Sequence, residues 1–256
     1  MRSELASFHV RFQQVTKEMY EQLKNEFRTI VDKHNLSAEE IMVTAQTLSP
    51  EEAIGNPEED DYPILKGRER IVEAQFRGAR GHAFTDMFGN WRGTIKEILG
   101  MEMKNNFRRS VFVSTLNAVL RHLRVVEGTV HCKDHAPQEC SKILVEKIRS
   151  EFGNPKILLV GFQPRMAEAL AQGFPLRITD LDEANIGTKR FGVVIQSPQE
   201  TQESIAWCDL MVVTGSTAVN NTMKEFIGRK PVIFYGVTVA GPAYLLGLNR
   251  FCPFGS

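Results

Sequence analysis

The residues with the clearest capacity for chemistry follow an apolar stretch near residue 212. Residues 210–213 read Leu-Met-Val-Val, a run typical of a buried strand, and Thr214, Gly215, Ser216, Thr217 and then Asn220 come directly after it. Hydroxyls together with free backbone N–H groups at a helix start can hold an anion or a polar ligand. Helix capping needs only one such hydroxyl, so the cluster favours a ligand-binding loop.

Two further loops follow predicted strands. Gly161 and Gln163 come after the apolar run 157–160, without the GxGxxG pattern of a dinucleotide site. Asp180 lies 19 positions after Gly161, close to the spacing at which Rossmann proteins bind a ribose hydroxyl, but a loop-bracing or helix-capping role fits equally well. Asp182 and Asn185 share its loop, and we include both among the candidate ligand-binding residues.

A short polar segment carries candidate metal ligands. It contains His131, Cys132 and Cys140, with His135 as a spare, and Cys252 lies near the end of the chain. Their spacing is not that of a zinc finger, since there is no Cys-x-x-Cys pair. Thiolate and imidazole suit a thiophilic transition metal ion, and a helix start between the two nearer thiols is expected to lower their pKa. The alternative is that these residues brace a domain junction.

The pattern of the second half predicts how these loops are positioned. Apolar runs at 157–160, 176–179, 191–195, 210–213 and 232–235 alternate with helical stretches, including one over 219–227. Repeated strand-then-helix units predict a mainly parallel sheet of about five strands. The carboxyl ends of its strands form one edge, where ligands bind in such folds.

The first half predicts a smaller α/β domain. Helical spacing covers residues 12–33, a strand is expected over 41–47, and another over 70–76. A Gly-rich run occupies 78–86, and 91–99 looks helical. We place the domains at 1–104 and 105–256, giving an α/β protein with a Rossmann-like second domain.

Composition excludes several classes of protein. The 256 residues carry 31 basic and 31 acidic side chains, and this zero net charge argues against a nucleic-acid partner. No apolar leader or membrane-length apolar run is present, so we expect a cytoplasmic protein without membrane contact. A homodimer could use the apolar face of the helix over 107–123, comprising Val111, Val113, Leu116 and Leu120, although packing between the domains explains that face as well.

Taken together, these stretches resemble the putative heavy-metal chelation family, a Rossmann-like domain preceded by one with the fold of the enolase amino-terminal domain. The resemblance is carried by the loops at 161–164, 179–187 and 214–222, and in the first half by 52–55, 81–86 and 116–118. It implies a pocket between the two domains, and we expect Thr85, Asp86 and Asn117 to close this pocket from the side opposite the strand-end loops. It implies no enolase chemistry, because fold does not determine function.

Three functions remain open at this point. The first is binding or processing of a small molecule or metal chelate in the interdomain cleft. The second is an enzyme with a nucleotide-type cofactor held by Asp180, which the missing GxGxxG weakens. The third is a metal-delivery protein without catalysis that works through the segment 131–140.

Overall fold

The computed structural model describes residues 19–36, 42–55, 62–66 and 69–256. Residues 12–18 of the first predicted helix and residue 41 of the first predicted strand lie outside these ranges. The first unit consists of α1 (19–33), β1 (Met42–Thr47), α2 (Pro50–Ile54), α3 (Pro63–Lys66), β2 (Arg70–Phe76), β3 (Ala79–Thr85), β4 (Trp91–Thr94), α4 (Ile95–Gly100) and α5 (Asn106–His122).

The first sheet is antiparallel, in the order β3-β2-β1-β4. The helix predicted over 91–99 is wrong in its first half, because residues 91–94 pair with β1 as strand β4. A capping box between Thr94 and Glu97 then begins α4. The Gly-rich run is mostly strand β3, and Gly81 lets this strand approach α5, since a Cβ there would lie 2.3 Å from the Ala118 nitrogen.

The second unit contains the predicted parallel sheet. Its elements are α6 (Ala136–Phe152), β5 (Ile157–Val160), α7 (Pro164–Gly173), β6 (Leu176–Thr179), β7 (Lys189–Arg190), β8 (Val193–Gln196), α8 (Thr201–Trp207), β9 (Leu210–Thr214), α9 (Ser216–Val219), β10 (Val232–Tyr235), α10 (Ala240–Leu246) and β11 (Arg250–Phe251). The strand order is β11-β10-β9-β5-β6-β8-β7, and within it β7 pairs antiparallel with β8. The α/β class and the mainly parallel sheet are confirmed.

Three details of the second unit differ from the prediction. The sheet has seven strands rather than five, because β7 and β11 have two residues each and leave no apolar run. The strand predicted from residue 191 begins at Val193, since Phe191 and Gly192 have positive φ and form a hairpin turn. The helix predicted over 219–227 is absent: α9 ends at Val219, and only a 3₁₀ turn follows at Met223–Glu225.

Helix α5 lies at the centre of the molecule. All its residues from Ser110 to Leu120 are buried, and one apolar cluster combines them with side chains of both sheets. The proposed dimer face of α5 is therefore covered by the chain itself, and a homodimer stays a prediction without an assigned surface. The boundary near residue 105 also stays a prediction.

A second apolar cluster fills the opposite face of the parallel sheet, beneath α6 and α7. With both faces covered, the sheet leaves its carboxyl edge as the place where polar loops meet. None of the helices in the described ranges combines the length and apolar character that crossing a bilayer requires.

Candidate functional site

The loop after β9 is held by its own hydroxyl groups. Thr217 Oγ1 donates to the Thr214 carbonyl at 2.7 Å, and Thr214 Oγ1 accepts from the Ser216 amide at 3.3 Å. Gly215 lies against the neighbouring loop, because a Cβ there would be 2.8 Å from the Val239 nitrogen. The hydroxyls predicted to hold a ligand thus also shape the loop, and their binding role stays a prediction.

The loop after β5 lies directly beside this one. Gly161 has φ +85°, and a Cβ there would lie 2.6 Å from Thr214 Cγ2. The hydroxyl of Tyr235, the last residue of β10, donates to the Gly161 carbonyl at 3.0 Å. Gln163 Oε1 accepts from the Met166 amide at 2.6 Å and caps α7, and a ligand-binding role for Gln163 stays a prediction. The ends of β5, β9 and β10 therefore meet as expected.

Asp180 braces the loop after β6. One carboxylate oxygen accepts from the Phe162 amide at 2.5 Å, and the other accepts from the Asp182 amide at 2.7 Å. Burial raises the pKa of Asp180, while these two amides and the Asn185 side chain oppose the rise. Asp182 caps the next turn through the Ala184 amide at 3.0 Å. The loop-bracing interpretation accounts for both oxygens of Asp180.

The first unit contributes a carboxyl group that the sequence reading missed. Burial, and after it the charges of Asp180, Asp86 and Asp182, raise the pKa of Glu69 to about 7. Glu69 comes just before β2, more than 100 residues away from Asp180 and Asp182. No local pattern could have linked them, and only the packing of the two units places the four carboxyl groups within electrostatic range.

Asn106, also missed, connects the two units at this edge. Its amide nitrogen donates to Asp86 Oδ1 at 2.6 Å and lies 3.4 Å from Asn220 Oδ1. Two predicted site residues, Asp86 and Asn220, are thereby brought together. Thr85 is buried, and its hydroxyl exchanges hydrogen bonds with the Met87 backbone, at 3.0 and 3.1 Å, within the same turn.

Asn117 joins the units rather than lining a cleft. Its fully buried amide nitrogen donates to the carbonyls of His82 at 2.9 Å, Val237 at 3.1 Å and Thr238 at 3.3 Å. Its Oδ1 accepts from the Gly241 amide at 2.7 Å. All four contacts are to backbone groups, so Asn117 positions the loop after β10.

Three thiols from two distant segments lie near the same edge. Cys132 precedes α6, Cys140 lies in its first turns, and Cys252 directly follows β11. Burial, and after it the nearby Cys252, raise the pKa of both Cys132 and Cys140 to about 12. The expectation that the helix start lowers these pKa values is wrong, because desolvation outweighs the helix dipole here.

His131 lies beside these thiols with a buried ring. Its ring packs edge-on against Phe84 at 5.2 Å between centroids, and its amide donates to His82 Nδ1 at 3.1 Å. Burial lowers the pKa of His131 to about 4, so the imidazole is neutral at pH 7. Its Nδ1 has no hydrogen-bond partner among the residues that the structure describes. A neutral imidazole nitrogen is a form that can ligate a metal.

The donor set fits a thiophilic ion in type, through three thiols and a neutral imidazole. Within the described part of the chain, however, no three His, Cys, Asp or Glu side chains stand ready to hold a metal ion. Thiol deprotonation and side-chain rotation would have to precede binding, and the ligand set stays a prediction.

Tyr235 is influenced electrostatically both by acidic residues near the loops and by one of the thiols. The carboxylates of Asp180 and Glu69 and the thiol of Cys140 all raise its pKa, after burial as the main cause. Tyr235, at the end of β10, is therefore within electrostatic range of both the acidic groups and Cys140.

Comparison with known proteins agrees with this architecture. A structure from Pyrococcus horikoshii, titled a protein with unknown function from the DUF364 family, has 15% identity and a TM-score of 0.53; the match covers 90% of this chain and 83% of that one. A DUF364 structure from Desulfitobacterium hafniense has 11% identity and a TM-score of 0.49, with 70% and 72% covered. At these identities the first likeness shows the fold alone.

The search of curated proteins found no match. The likeness of the first unit to the enolase amino-terminal domain stays a prediction. Residues 144–243, which run from α6 through the loops after β5, β6, β9 and β10, match the model of the family DUF364, described as "Putative heavy-metal chelation". This stretch of the chain is therefore similar to DUF364, the putative heavy-metal chelation family.

Proposed function

We propose that the protein binds a small metal-associated ligand at the carboxyl edge of its parallel sheet, facing the antiparallel unit. The metal is a thiophilic transition ion held by Cys132, Cys140 and Cys252, with His131 as the nitrogen donor. The observation that carries this proposal is that the segment with Cys132 and Cys140 and the distant Cys252 lie within electrostatic range of one another. The family description supports the same chemistry.

Protonation adds a condition to binding. The raised pKa values keep Cys132 and Cys140 as neutral thiols at pH 7 in the metal-free protein. A metal ion must displace those protons, so its affinity rises with pH. Buried thiols that ionise only upon metal binding also favour soft ions over the hard ions preferred by carboxylates.

The loops beside the thiols suit the organic part of such a ligand. Ser216, Asn220 and Asp86 are polar groups from both units at this edge. The three thiols alone would leave one tetrahedral position open, and a chelating small molecule would compete for that position with His131. The proposal therefore concerns a metal with its chelator rather than a closed structural site.

Metal content in matched variants tests the proposal. Untagged wild type is loaded with Zn²⁺ or Cd²⁺, freed of excess by gel filtration, and measured by elemental mass spectrometry beside a Cys132→Ser, Cys140→Ser double variant. We expect about one ion per wild-type chain and a loss of at least about tenfold in the variant. Cys208→Ala is the matched control, because Cys208 is fully buried in the central apolar cluster.

Equal metal in wild type and the double variant would contradict the proposal and leave the junction-bracing role for these residues. The nucleotide-enzyme alternative has less support, because both oxygens of Asp180 hold backbone amides of its own loop region. Metal delivery without catalysis differs from our proposal in one measurable respect: loaded protein would pass its ion to a competing chelator in solution.

A further inference from the structure

An open cavity of about 560 Å³ lies where the turn between β2 and β3 meets the end of α5. Three arginines, Arg80, Arg121 and Arg124, line it together with His122, and Glu127 is the single acidic residue in its lining. Several segments of the chain form the walls, and Val130 and Ser256 are among the residues that line them. The cavity thus concentrates positive charge on a chain whose net charge is zero.

Two of these arginines form no ion pair with a carboxylate of the described residues. Arg80 lies 3.5 Å from Glu73, which is buried behind it. In the ranges that the structure covers, Arg121 and Arg124 have no carboxylate within ion-pair distance. The charge of Arg124 also lowers the pKa of His122, after burial as the larger cause. The charges of Arg121 and Arg124 are therefore not neutralised by a carboxylate of the described residues.

The cavity is held in shape by contacts that do not involve the guanidinium groups of Arg121 and Arg124. Arg250 donates to the carbonyls of Glu127, at 2.9 Å, and Gly128, which fixes one wall. Val130 and Ser256 exchange two backbone hydrogen bonds, at 2.8 and 3.0 Å. On the other side the His122 ring packs edge-on against Phe76, 5.2 Å between centroids.

Basic residues commonly end a helix because they offset its dipole, which accounts for Arg121 at the end of α5. That explanation does not extend to Arg80, which comes from strand β3, or to the cavity between the elements. Guanidinium groups converging from separate elements are the arrangement that recognises carboxylates and phosphates.

We propose that this cavity binds a small oxyanionic ligand, carrying phosphate or carboxylate groups, through Arg80, Arg121 and Arg124. Its volume falls in the range of small-molecule pockets. The site does not depend on the thiols or on the loops after β5 and β9, so it is independent of the function proposed above.

Binding of defined anions tests this inference. Inorganic phosphate, pyrophosphate and citrate are titrated calorimetrically into protein in metal-free buffer, at constant ionic strength set with chloride. We expect saturable binding of at least one of these anions. Tighter binding of the phosphates would identify a phosphate ligand, and tighter binding of citrate would identify a carboxylate ligand. Loss of one charged hydrogen bond should weaken binding at least about tenfold in Arg121→Gln and in Arg124→Gln.

Arg190→Gln is the matched control, since it removes the same charge from β7, at the sheet edge opposite β11 and the tail that follows it. The control and the Cys132→Ser, Cys140→Ser variant should bind like wild type. Melting temperatures without ligand show that each variant folds. Absence of saturable binding to all three anions, or equal weakening in Arg190→Gln, would overturn the inference.

Discussion

Replacement of Asn117 by alanine should be among the most damaging single changes in the protein. Its side chain makes four hydrogen bonds to backbone groups and is fully buried. Gly241 is the second residue of α10 and has no acceptor inside that helix, so its amide loses its partner. An orphaned buried donor costs about 1–3 kcal/mol, and the remaining lost bonds contribute about 0.5–1.5 kcal/mol each.

The Val237 carbonyl keeps a second donor, the Ala240 amide at 3.0 Å, so its loss is the smallest. We therefore expect Asn117→Ala to lower the free energy of unfolding by about 3–5 kcal/mol. That is a large share of the roughly 5–15 kcal/mol typical of a folded protein.

Urea unfolding followed by far-ultraviolet circular dichroism measures this loss through the midpoint and slope of the transition. Ser114→Ala is the control: Ser114 is equally buried on α5, but its hydroxyl donates only to the Val111 carbonyl of the same helix, at 3.2 Å. Its loss should stay below about 1.5 kcal/mol. If Asn117→Ala lost no more than this control, the idea that Asn117 joins the two units would be refuted.

Two further predictions concern packing and pH. Gly81→Ala should lower the free energy of unfolding by at least about 2 kcal/mol in the same urea assay, because a Cβ would lie 2.4 Å from the Ser114 carbonyl oxygen in α5; Gly100→Ala, with open space around it, should change little. The pKa of Glu69 is about 7 in the folded protein, above its ordinary 4.5, so folding binds a proton there. The contribution of Glu69 to the free energy of unfolding is therefore complete below pH 4.5 and is lost as the pH rises through 7. Glu69→Gln should remove that loss and be more stable than wild type at pH 8 by roughly 1–3 kcal/mol, after allowance for partial exposure; an unchanged pH profile of stability would argue against the acidic cluster.

The parallel sheet could be predicted because its signal is local. Apolar runs such as 157–160 and 210–213 are separated by helical stretches, and this alternation permits few topologies. The same signal fails for β7 and β11, since two residues form no pattern. It also fails for residues 91–94, whose strand is created by pairing with β1.

The candidate site was predictable only in part, for a related reason. Residues at strand ends, such as Gly161 and Thr214, follow from topology once the sheet is known. Glu69 and Asn106 reach the site from the other unit, through contacts that depend on how α5 packs. The backbone contacts of Asn117 could not be predicted, because its residue type suits a polar cleft and a buried backbone contact equally well.

The central position of α5 has a consequence for how the protein unfolds. Its buried residues belong to a cluster that includes Phe76 of the antiparallel sheet and Phe234 of the parallel sheet. If α5 leaves its position, the apolar surfaces that it covers on both sheets become exposed to water at the same time. Exposing one sheet therefore carries the hydrophobic free-energy cost of exposing the other as well. The two sheets therefore form a single cooperative unit, and separating the chain near residue 105 would leave one half without the helix on which its core is built.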